Sequence, residues 1–221
     1  MAIAVFALFA ANILVVGAGR RRIQLRRTGD SGNRRTWRPD GSLEWWALAG
    51  TDLGYITVGL AAPLAALVGL AVLPPLDNVI LRGTGVVLAV LGLVLTLTAQ
   101  LSLGASWRIG IDAAERSDLV TAGVYRVARN PIFAAVIITF AGMAIMLPNL
   151  VAVAGVLIIV IGIKVQVRLA EEPYLRRVHG AAYLAFASRV GRFIPGVGRL
   201  QSQRDYRYGH AEQRCPRKEP S

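Results

Sequence analysis

The sequence predicts an all-α polytopic membrane protein with about five transmembrane helices and a cytoplasmic C-terminal helical segment. Three observations predict the membrane fold. Of 221 residues, 54% are hydrophobic and only 17% charged, with a mean hydropathy of +0.50, which is too apolar for an ordinary soluble domain of this length. The apolar residues fall in blocks, 1–18, 53–76, 83–104, 131–148 and 149–167, each nearly free of charge. Each block is close to the ~20 residues a helix needs to cross the hydrocarbon core. Finally, the basic residues alternate from one connection to the next.

Each element has its own reason. No positive run precedes the first block and arginines follow it, so it reads as a retained anchor with its amino end outside rather than a cleaved signal. Residues 19–45 hold eight arginines from Arg20 to Arg38 and are expected to lie against anionic phospholipid headgroups, with Trp37, Trp45 and Trp46 as interface anchors. Pro63 is expected to kink the second span, and Pro74–Pro75 to end it at the outer face. Only Arg82 lies between the second and third spans, four arginines lie in 105–130, none lies at Pro148–Asn149, and the tail after 167 is rich in them. The positive-inside rule then puts the carboxyl terminus in the cytoplasm. Pro148–Asn149 closes a tight hairpin whose two helices should pack antiparallel and adjacent. The expected division is 1–80, N-terminal spans and basic loop; 81–195, a core with the helical hairpin; and 196–221, a basic polar tail.

Composition narrows the function. The net charge of +12 comes from 23 Arg and 2 Lys, but it is spread between apolar spans rather than along a soluble face, which argues against nucleic acid as a partner. The bias of Arg over Lys suits a GC-rich, bacterial genome, in which the location would be the plasma membrane. One cysteine, Cys215, allows no disulfide framework, and six residues follow it where a prenylation box allows three. VVGAGRRR at 15–22 imitates a dinucleotide fingerprint, yet Arg22 stands at the third glycine position. With two histidines, a His-built metal site is not expected.

Polar residues concentrate in 104–130 and 168–195, which flank the hairpin and should meet at its open end. GASWRIGID at 104–112 leads through a polar turn to TAGVYRVARNPIF at 121–133. There Asn130 is placed as a helix N-cap and Pro131 as the first helical residue, so the fourth span offers unpaired N–H groups to an anion. Lys164, Arg168 and Glu172 are spaced by four and share a helix face, whereas Glu171 lies about 100° from Glu172 and should do a different job. Blander readings exist for each: an interfacial Arg168–Glu172 salt bridge, positive-inside roles for Arg126 and Arg129, belt aromatics in Tyr125, Tyr174 and Tyr183, and a helix-end residue in His179.

Taken together, GASWRIG at 104–110, TAGVYRVARNPIF, EEPYLRRVHGAAY at 171–183 and RVGRFIP at 189–195 resemble the isoprenylcysteine carboxyl methyltransferase family, with phospholipid methyltransferases as relatives. The resemblance covers roughly residues 80–195. Asn130 stands where that family usually has histidine, Phe133 where it has tyrosine, and His179 where it commonly has phenylalanine. Asparagine keeps a hydrogen bond but excludes a titratable role at position 130.

The resemblance implies an S-adenosylmethionine pocket between the last two spans and the cytoplasmic tail, without a Rossmann domain. It implies cofactor-binding roles for Gly123, Tyr125, Arg129, Asn130, Pro131, Glu172 and Tyr183, and catalytic roles for Glu171, Arg168 and Arg189. Arg129 and the start of the fourth span would receive the methionine carboxylate, Glu172 or Glu171 would balance the ammonium, and Tyr125 and Tyr183 would wall the adenine. Arg168 and Arg189 would orient the substrate or complete the cofactor site. The implied acceptor is a lipid or lipidated molecule entering from the bilayer, methylated on a carboxylate; an amine acceptor would call on Glu171 as base. The rivals are a sterol- or steroid-type membrane reductase using NADPH and a non-enzymatic lipid-binding scaffold.

Overall fold

The computed structural model describes residues 1–35, 39–107, 109 and 118–200. Trp37 and Arg38, the Arg108 and Gly110 of GASWRIG, and the tail from 201 with Cys215 lie outside the described residues.

Helix α1, Ala2–Thr28, runs through a π-helical stretch at Asn12–Gly19 and stops at Gly29, whose φ of 74° no β-carbon-bearing residue adopts readily. Helix α2, Leu43–Leu67, starts earlier than the hydropathy block predicts and ends before Pro74–Pro75. Ser42 explains the start: its Oγ accepts from the Trp45 N–H at 3.0 Å, with Glu44 complementing the dipole in the first turn. Beyond Leu67 the chain turns at Gly69, φ 98°, and the prolines open a separate 3-10 turn, Pro74–Leu76. Pro63 follows a π-helical stretch, Thr57–Ala61, that absorbs the donor it lacks. Helix α3 spans Val79–Ser102 and α4 spans Pro131–Met146. Helix α5, Leu150–Gln166, passes through a π-helical turn, Val167–Glu171, into α6, Glu172–Arg189. Among the described residues there is no β-strand, only two isolated bridges. The protein is an all-α polytopic membrane protein, with four helices long and apolar enough to span and α4 shorter.

Small residues decide which helices pair. A β-carbon on Gly142 would sit 2.4 Å from the Ala89 nitrogen, and one on Gly92 2.5 Å from the Thr139 nitrogen, so α3 and α4 touch backbone to backbone. Gly162 does the same for α5 against Ala47 and Thr51 of α2, and Gly155 makes room for the Thr57 and Val58 side chains. The hairpin α4–α5 is as tight as the sequence predicts, yet each arm therefore makes its closest approach to a different helix. Asn149 fixes the turn: its Oδ1 accepts from Ala152 N–H at 2.9 Å and its Nδ2 donates to Ala62 O at 3.0 Å. The pairs close around Phe140, which stacks on Tyr55 at 4.5 Å and meets Phe9 of α1 edge-on at 6.2 Å. Leu14, Leu64, Val87, Val94, Leu157 and Ile161 remain exposed, the surface that lipid covers.

The connections sort to two ends. At one, Met1 and residues 77–79, 82 and 83 line a common cleft, and Leu73 N–H donates to Pro148 O at 2.7 Å. At the other lies the basic segment that forms the end of α1 and the chain after it, which is not a surface loop throughout. Arg20 is 1% exposed. It donates to Gly104 O at 2.7 Å and Gln100 O at 3.4 Å and lies 4.6 Å from the centre of the Trp107 ring, while Gln24 donates to Ala105 O at 2.8 Å. Further on, Ile109 N–H donates to Gly32 O and Arg34 N–H to Ile109 O. Helix α3 ends with orphan carbonyls that need donors, and this segment supplies them. Arg21, Arg22, Arg26 and Arg27 stay exposed.

Candidate functional site

Three separated pieces of chain build a buried polar cluster at the Arg20 end of the bundle. The first is the approach to α4. Gly123, φ 59°, opens a 3-10 turn, Gly123–Arg126, that buries Tyr125 against the end of α3, with the hydroxyl 3.5 Å from Ala99 O. Residues 128–130 then run beside 191–192: Arg129 N–H donates to Gly191 O at 2.9 Å, and Asn130 N–H to Arg192 O at 3.0 Å. Asn130 occupies the N-cap position of α4, but its side chain does not cap. The Nδ2 donates to Arg192 O at 3.1 Å instead. Pro131 stands in the first helical turn, as expected.

The second piece is the start of α6. Glu172 is 4% exposed and accepts from Arg192 through Nε at 2.7 Å and NH2 at 2.9 Å, and its Oε1 forms an ion pair with Arg129 NH2 at 3.2 Å. Arg129 also donates to the Tyr183 hydroxyl at 3.2 Å and lies 5.9 Å from the centre of its ring. The third piece is the turn after α6, which returns Gly198 O to Arg129 NH2 at 2.7 Å. Gly191 makes that turn possible, since a β-carbon there would fall 2.0 Å from Ile194 O. One carboxylate between two guanidiniums leaves one positive charge in excess, and Arg129 Nε is buried with no partner among the described residues. The Glu172 carboxylate holds the Arg192 guanidinium above the usual arginine range.

Around the cluster, Glu171 takes the other face and accepts from Gln166 Nε2 at 3.0 Å. Burial, and then the charge of Glu171, push the Tyr125 hydroxyl up from the usual tyrosine range. Thus Arg129, Asn130, Glu172 and Tyr183 come together, Tyr125 and Glu171 lie beside one another, and Gly123 and Pro131 shape the approach. Arg168 and Arg189 are exposed, and the Arg189 Nε donates to Ala185 O within its own helix. Arg192 was not among the residues expected here. RVGRFIP carries two arginines, and the one after the glycine faces Glu172 because the chain has left the helix by then.

The fold and site define a polytopic membrane protein with a charged cluster at the end of a helical hairpin. Residues 81–182 match the phospholipid methyltransferase family. A stretch of 115 residues is 31% identical to protein-S-isoprenylcysteine O-methyltransferase B of Arabidopsis thaliana and 30% identical to protein-S-isoprenylcysteine O-methyltransferase A of the same plant. It covers 51% of this chain and 58% of each relative, so the chain spans little more than half the length of the curated relatives it matches. Through that part the chain is related to the isoprenylcysteine methyltransferases, a relation that the four quoted motifs predict.

Proposed function

We propose that the chain is an integral membrane methyltransferase that uses S-adenosylmethionine to methylate a lipid or lipidated acceptor, the methylated group being a carboxylate. The Arg129–Glu172–Arg192 cluster is the single observation that carries this reading. Its excess positive charge and the partnerless Arg129 Nε fit a carboxylate such as the cofactor's amino-acid end presents. The relatives are named as O-methyltransferases of isoprenylcysteine, which supports an oxygen as the methylated atom and a lipidated acceptor.

Bound there, the cofactor would supply an electrophilic methyl on a sulfonium. The chain's own residues then have three tasks. Arg129 and the free N–H groups of the first turn of α4 hold an anion. Tyr183, packed against Phe186, gives the site a rigid aromatic wall. The turn at 192–198 covers Arg129 and excludes water. A carboxylate acceptor is already ionised at neutral pH, so alignment and dehydration suffice without a base. With the carboxyl terminus in the cytoplasm, a water-soluble cofactor reaches this end from the cytosol and an apolar acceptor from the bilayer.

The test is equilibrium binding of labelled S-adenosylmethionine to the purified protein with NADPH as competitor, followed by incubation of membranes with methyl-labelled cofactor. Saturable binding indifferent to NADPH, and a labelled lipid that base releases as an ester does, is the expected result. Displacement by NADPH would point to a reductase, and absence of binding to a scaffold.

A further inference from the structure

Gln166, the last residue of α5, is 5% exposed, and its Nε2 donates to Glu171 Oε1 at 3.0 Å. Two residues five apart on an α-helix are separated by about 140° of rotation and cannot meet. They meet here because Val167–Glu171 is wound as a π-helix, in which positions five apart come back to one side. The same wide turn leaves Glu172 to Arg129 and Arg192, so the two adjacent glutamates serve different faces.

The pairing also fixes the orientation of the amide. A carboxylate only accepts, so the Gln166 nitrogen must face it and the Gln166 oxygen must face away. That oxygen, Oε1, is buried and has no partner among the described residues. Tyr125, the nearby hydroxyl, is directed at Ala99 O. A buried amide oxygen without a donor is costly, and the native fold keeps it.

We infer, resting on the S-adenosylmethionine reading, that Gln166 Oε1 and Glu171 form the donor-taking half of the ligand site. This half is lined by the Gln166 oxygen, which only accepts, so it takes an N–H or O–H group. It adjoins, through consecutive residues 171 and 172, the cluster whose charge suits an anion. A ligand bearing a carboxylate and an ammonium on one carbon matches that juxtaposition. An amine headgroup on the acceptor lipid offers the same chemistry from the other side of the site.

The test is binding rather than turnover. Gln166→Met keeps the length and removes the acceptor, and Gln166→Asn withdraws it by one methylene while keeping the amide. Both are titrated with S-adenosylhomocysteine, with methylthioadenosine, which lacks the amino-acid end, and with dodecylamine in detergent. Each variant should bind S-adenosylhomocysteine about tenfold more weakly, the loss of one buried hydrogen bond, and methylthioadenosine unchanged. Loss confined to dodecylamine would place the donor on the acceptor lipid instead. Unchanged affinity for all three probes in either folded variant overturns the inference. If Arg129→Ala abolishes S-adenosylhomocysteine binding in that same case, the methyltransferase reading survives alone; if the unsubstituted protein binds none of the probes, both fall.

Discussion

Arg192 holds Glu172 with two nitrogens, at 2.7 and 2.9 Å, across a gap of twenty residues, and so ties the turn after α6 back to the start of that helix. The matched family stretch ends at residue 182, so it contains the carboxylate and not its main cation. Arg129 takes a single longer approach to the same carboxylate at 3.2 Å.

The two ways of breaking this cluster should differ. Glu172→Gln leaves the buried Arg129 and the partly exposed Arg192 with no counter-charge, and breaking such a pair costs up to about 3–5 kcal/mol. Arg192→Gln leaves one guanidinium with one carboxylate, and should cost less than half as much. Thermal or urea unfolding in detergent would measure the ordering, and equal losses would mean that charge balance is not what holds the cluster.

Helix pairing gives a sharper mechanical test. Gly142→Ala places a methyl 2.4 Å from the backbone nitrogen of Ala89, which cannot rotate away, so the α3–α4 pair must separate. The expected loss is about 2 kcal/mol. Gly83→Ala, on the same pair of helices, meets nothing within 4 Å and should instead stabilise by about 0.5–1 kcal/mol through helix propensity. Unfolding of the two variants side by side reads both signs.

These glycines show what the sequence could and could not say. Their abundance in the spans signals close approach, but not which helix approaches which, because partner choice depends on the rotation of each helix about its axis. The spans themselves were legible because transfer of apolar residues to lipid is a sum over composition. Ser42 moved the start of α2 because a cap is a local hydrogen bond that a hydropathy block does not register. At the site, Arg129, Glu172 and Tyr183 were legible from motif resemblance, whereas Arg192 depended on where α6 ends. Gln166 depended on a π-helical turn, which leaves no mark in a hydropathy profile.

Tyr125 supplies a pH test outside the spans. Its hydroxyl is held above the tyrosine range by burial first and the charge of Glu171 second. A raised acid binds its proton more tightly in the folded state, so its stabilising contribution is complete below the unfolded value of about 10 and declines as pH rises toward the folded one. Melting temperature should therefore fall more steeply above about pH 10 in the unsubstituted protein than in Tyr125→Phe. Parallel slopes between pH 9 and 12 would mean that the hydroxyl titrates as in the unfolded chain.

Arg20 tests whether the amino-terminal span belongs to the same working unit. Its guanidinium does three things at once: it donates to Gly104 O, donates to Gln100 O, and lies against Trp107. A lysine ammonium is a point charge without the planar fork, so it cannot reach both carbonyls while lying flat on the ring. Arg20→Lys should therefore behave like Arg20→Met rather than like the unsubstituted protein. Each variant withdraws donors from the carbonyls of Gln100 and Gly104, for a net cost of about 1–2 kcal/mol once relief of the buried charge is set against it. The loss should be local: amide hydrogen exchange should accelerate at Ser106, Trp107 and Ile109, while amides of α4 and α5 between 131 and 166 keep their protection. Because Tyr125 docks on Ala99, one residue from an Arg20 partner, ligand binding should weaken with the frayed end of α3. Full rescue by lysine would show that position 20 contributes charge alone, as an ordinary positive-inside residue does.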